Sequence, residues 1–153
     1  MVVTRTRYEE LSILKAVESF LTTAGWTGIT YTPGYQPEGT ITNPQVSVTI
    51  SPGNVTPLQL GRVADEDSLF TRTIVINAYM ESEPRAQTIV DSIMDFMDLV
   101  CVDIKDPAGV VLGTLQVPNS QTILGAVLPP IMNMPKLMRY RGTVRGIYEA
   151  FYP

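Results

Sequence analysis

The 153-residue chain has no histidine and one cysteine. Without imidazole, histidine-based triads, His-ligated metals and imidazole proton transfer are excluded. Cys101 alone cannot close an internal disulfide or build a thiolate zinc cluster, and its place in the apolar run LVCVDI predicts burial as a small hydrophobe. Apolar runs stay well short of the roughly 20 residues that a membrane-spanning helix needs. The opening MVVTRTRYEELS lacks an apolar core followed by a small-residue cleavage site, so cytosolic synthesis is expected. No glycine-rich phosphate cradle is present either, since Gly109 and Gly113 lack both the downstream spacing and the following lysine. Cations are scarce: 11 Lys and Arg against 15 Asp and Glu leave a net charge of −4, which argues against a domain that wraps nucleic acid.

What is present belongs to a globular protein. Hydrophobic residues make up 44% of the chain and charged ones 17%, and the length suits one domain over 1–153 with a core that needs no metal or disulfide. The organising stretch is 70–100. Ile74, Ile76, Ala78 and Met80 alternate with Thr73, Val75, Asn77 and Tyr79, the period of a strand with one buried face. Ala86, Ile89, Val90, Ile93, Met97 and Val100 then recur at three and four, the apolar stripe of a helix over 83–100. Ser82, Glu83 and Pro84 are the residues that begin such a helix.

Upstream, 7–24 reads as a helix, with Thr6 and Glu9 at capping-box spacing, a stripe of Ile13, Val17, Phe20, Leu21 and Ala24, and Gly25 as its C-terminal cap. A short strand over 26–31 leads into a Pro/Gly-rich loop around 32–44. Residues 45–50 alternate as a strand stopped by Ser51, Pro52 and Gly53, and 54–67 is ambiguous between an extended arm and a turn. Asp65, Glu66 and Asp67 close that stretch as an acidic patch, by itself a solvated turn. Beyond the second helix, 100–104 and 110–117 flank Asp106, Pro107, Ala108 and Gly109 and predict a hairpin. The segment 118–138 is an apolar Pro/Met-rich loop whose Met132, Met134 and Met138 pack either on this chain's core or on another subunit. A long strand over 140–151 places Val144, Tyr148 and Ala150 on one face and Arg141, Arg145 and Glu149 on the other, and its length makes it an antiparallel neighbour of 70–80. The class is therefore α+β: a mainly antiparallel sheet with two amphipathic helices packed on it.

Chemistry-bearing patterns are few. Asp91 with Asp95, one helical turn apart, and Asp103 with Asp106, near the hairpin, are carboxylate pairs. The first pair lies opposite the apolar stripe, which favours a solvated face over a metal or glycosidase site. Arg141 and Arg145 share a strand face with the character of a cross-strand or interface pair, so they and the methionines are the candidate subunit or partner contacts.

The run TRTIVINAYMESEPRAQTIVDSIMDFMD resembles the central strand, turn and helix of tail terminator (tail completion) proteins of long-tailed bacteriophages. ELSILKAVESFLTTAGW and RYRGTVRGIYEAFY stand where that family has its N-terminal helix and its closing strand. The resemblance implies a structural virion protein without enzymatic activity: a homo-hexameric ring at the head-proximal end of the tail. Such a ring ends polymerisation of the tail tube protein and gives the head connector, or neck protein, a docking surface. It also implies synthesis in the host cytoplasm, no cofactor, metal or membrane partner, and DNA passing through the lumen unbound. Asp65, Glu66 and Asp67 would then line that lumen and repel the DNA. The alternatives are another head–tail joining component, such as a neck, stopper or connector protein, and a small carboxylate-dependent hydrolase.

Overall fold

In a computed structural model, which describes residues 5–34, 41–57, 68–99, 101–117, 123–128 and 140–153, a sheet carries two helices on one face. In chain order the elements are α1 (Arg5–Thr23), β1 (Thr30–Pro33), β2 (Gln45–Pro57), β3 (Ser68–Met80), α2 (Glu83–Leu99), β4 (Cys101–Lys105), β5 (Val111–Gln116), β6 (Leu124–Val127) and β7 (Tyr140–Tyr152). The sheet runs β1-β2-β3-β7-β5-β4, and β6 also pairs with β7. Among the described residues only β1 and β2 pair in parallel, so the fold is α+β with a mainly antiparallel sheet.

β3 and β7 pair along their full 13 residues, from Ser68 opposite Tyr152 to Met80 opposite Tyr140. This register puts Ile74, Ile76 and Ala78 on the same face as Val144, Tyr148 and Ala150, and all six are buried. Across β2 the face continues through Val46, Val48 and Ile50. Above it, α2 lays down Ala86, Ile89, Val90, Ile93, Phe96 and Met97, and α1 lays down Ile13, Leu14, Val17 and Leu21. The expected stripes hold except at their ends, because Ala24 lies beyond α1 and is exposed and Val100 lies outside the described residues.

Local signals explain where the elements stop. Gly25 has φ of 99°, and the Trp26 N–H donates to the Leu21 carbonyl at 2.9 Å while the Gly25 N–H donates to that of Thr22 at 3.1 Å, the paired bonds of a left-handed helix cap. At the start of α2 the Ser82 carbonyl accepts the Ala86 N–H at 3.1 Å. In the β4–β5 turn Asp106 Oδ1 accepts the N–H groups of Ala108 and Val110, each at 2.9 Å. α2 approaches β6 and β7 closely because glycine lies beneath it: a Cβ at Gly125 or Gly142 would overlap Met94 or Val90.

Several expectations need correction. α1 begins at Arg5, so Thr6 lies inside the helix and Glu9 is a buried residue rather than half of a capping box. The first strand is Thr30–Pro33 and not 26–31, which takes Thr32 and Pro33 out of the loop placed at 32–44; residues 35–40 of that loop lie outside the described residues. β2 does not stop at Ser51, since a register shift between Ser51 and Asn54 absorbs the two intervening residues and pairing resumes to Pro57. The segment 118–138 is not all loop, because Leu124–Val127 forms β6 along the edge of β7. Cys101 is exposed rather than buried: Val102 and Ile104 turn inward on β4, and period-two alternation sends Cys101 to the other side.

Candidate functional site

The strongest local chemistry is a buried ionic cluster that the apolar patterns conceal. Glu9 is fully buried on α1, in line with Ile13 and Val17, and Arg72 is 5% exposed on β3, in line with Ile74 and Ile76. Arg72 Nε donates to Glu9 Oε1 at 2.6 Å, and the Tyr148 hydroxyl donates to the same oxygen at 2.6 Å. The Tyr152 hydroxyl donates to Oε2. Around the cluster, the guanidinium of Arg72 lies 4.7 Å from the centre of the Phe70 ring and that of Arg5 lies 4.6 Å from the centre of the Tyr152 ring. One carboxylate thus ties the first helix to the two central strands. With these partners all internal to the chain, the cluster's work is to hold the fold together.

Burial, and next the neighbouring Glu9 carboxylate, push the Tyr148 and Tyr152 hydroxyls far above the ordinary tyrosine value. A folded-state value above the unfolded one means that the stabilisation is complete below the unfolded value, near pH 10, and is lost as pH rises beyond it. Each tyrosine should remove about 1.4 kcal/mol per pH unit in that range. Denaturant midpoints measured from pH 8 to 11.5 should be level at first and then fall, with a shallower fall in Tyr148→Phe. A level profile throughout would show that these hydroxyls are not held in the way described.

A second feature is a cleft of about 500 Å³ between α1 and the hairpin, lined by Tyr8, Ser12, Lys15, Val102, Asp103 and Lys105. Ser12 Oγ accepts the Lys105 N–H at 3.1 Å across it. Asp103 and Asp106 both border this cleft, and Asp106 Oδ1 is engaged by the two N–H groups of the turn. Among the described residues no group of three His, Cys, Asp or Glu side chains is placed to hold a metal ion. No helix among them is long and apolar enough to cross a membrane.

The third feature is the sheet face opposite the helices. Arg141, Arg145 and Glu149 lie on it along β7, as alternation requires. Arg145 is exposed, with Val75 opposite it on β3 and Leu124 opposite it on β6. Leu124 is 60% exposed, among the most exposed large apolar side chains described. Arg141 is half-buried, and its cross-strand neighbour Tyr79 is buried. The face is therefore closed around Tyr79 and open around Arg145. Of the other candidate residues, Asp65, Glu66, Asp67, Met132, Met134 and Met138 lie outside the described residues. Leu124 is absent from the candidates that the sequence offers, because its place beside Arg145 follows only from the pairing of β6 with β7.

No protein-family model matches the chain, and no curated protein matches it.

Proposed function

We propose that the chain is a structural virion protein of a long-tailed bacteriophage, a tail terminator that forms a homo-hexameric ring at the head-proximal end of the tail. The observation that carries this reading is the strand β3 that passes through a short turn into α2 and pairs along all 13 residues with the closing strand β7. The N-terminal helix is locked onto both strands by Glu9. These four elements, α1, β3, α2 and β7, are the ones on which the resemblance rests. The open sheet face offers a contact surface, an exposed arginine between apolar neighbours on an otherwise Thr-rich face.

In this role the ring caps the tail tube protein on one side and meets the head connector on the other. DNA passes through its lumen unbound, which the net charge of −4 favours. Phage particles lacking the chain test the reading. Tail tubes should then grow to uncontrolled lengths and remain without heads. Tails of normal length that only fail to join heads would instead identify a neck or stopper component.

A further inference from the structure

We propose that the open part of the sheet face, centred on Arg145, is the seat for the outward face of α2 from a second copy of this chain. The proposal rests on the ring reading above and names the contact that would build the ring. Arg145 projects from β7 between Val75 and Leu124, and it has no ion-pair partner among the described residues. On the opposite side of the molecule, α2 exposes Asp91, Asp95 and Asp98, likewise without ion pairs among the described residues. The last turn of α2 holds no basic residue, so Asp98 there adds to the negative end of the helix dipole instead of being offset within the helix.

An arginine and a row of carboxylates, unpaired among the described residues, thus lie on opposite sides of one domain, since α2 covers one face of the sheet and Arg145 occupies the other. A contact between them is heterologous: each copy offers its sheet to one neighbour and its helix to the next, and the repeat closes as a ring when the rotation per copy allows. Asp91 to Asp98 spans about 10 Å along the helix, so Arg145 lies within reach of this acidic stretch when α2 is seated over it. Seating α2 there also covers Leu124, which gives the sheet a helix layer on both faces.

Charge reversal tests the pairing with the full chain, read by light scattering after size exclusion and by electron microscopy. Arg145→Glu and Asp95→Lys each alter an exposed side chain, so both variants should keep the far-UV circular dichroism of the wild-type fold. Each alone should raise the concentration at half-assembly about tenfold or more. An equimolar mixture of the two should restore rings, because alternating copies again set opposite charges against each other. Rings formed by Arg145→Glu at wild-type concentration would overturn this contact and leave the ring reading standing. Two assembly-deficient variants that the mixture fails to rescue would overturn the pairing as well. A wild-type chain that stays monomeric, even with tail tube protein added, would overturn both.

Discussion

Replacing Glu9 by alanine is expected to cost about 3–5 kcal/mol, the penalty that follows when one partner of a buried ion pair is removed and the other stays charged. Arg72 is 5% exposed and cannot reach water without moving β3 or α1. The substitution also strands the Tyr148 and Tyr152 hydroxyls, which both donate to the same carboxylate. A domain of this kind has about 5–15 kcal/mol in total, so the variant should melt far below the wild type or fail to accumulate. Glu9→Gln retains an acceptor and the side-chain shape, and should be less destabilised. Removing both charges, as Glu9→Leu with Arg72→Met, should recover much of the stability, because buried pairs are often replaceable by apolar groups of similar volume. A Glu9→Ala protein with wild-type melting would mean that the cluster does not hold α1 to the sheet.

Ile93→Asp should be as damaging for a different reason. Ile93 is fully buried at the centre of the α2 stripe, where the helix faces β3 and β7. Its surroundings in the core are apolar, so a carboxylate there is desolvated without a cation beside it. That desolvation costs several kcal/mol, in addition to the apolar packing that the isoleucine provides. The expected product is insoluble or unfolded. Gln87→Ala, on the exposed side of the same helix, is the matched control and should leave melting within about 0.5 kcal/mol. A soluble Ile93→Asp with native melting would contradict the placement of α2 on the core.

The sequence is readable where one period governs a whole element. Ile74, Ile76, Ala78 and Met80 announce β3, the spacing from Ala86 to Met97 announces α2, and the Asp106–Gly109 turn announces the hairpin, because each is set by local geometry. The features that escape it depend on partners far along the chain. Glu9 looks like a cap residue because it stands three residues after Thr6, and only Arg72, 63 residues away, decides otherwise. The opposite signs of these two charges, each in line with the apolar residues of a helix or a strand, are the signal that could have pointed to the pair. β6 escapes because four residues, LGAV, are too few to show alternation, and Gly125 is required by Met94 of α2 rather than by any turn. Pro52 and Gly53 read as a stop, yet the strand absorbs them as an irregularity and continues. For the candidate site, Arg145 is legible from strand alternation. Its companion Leu124 is not, since its place beside Arg145 follows from pairing with β7.

The most direct test of the ring is the mass of the assembled protein in solution, alone and with tail tube protein, together with particle images. Closed rings with six times the 16.8 kDa of one chain are the predicted result, bound as a single layer at one end of the tubes. A species of 16.8 kDa at every concentration, with no ring on any tube end, would contradict the account.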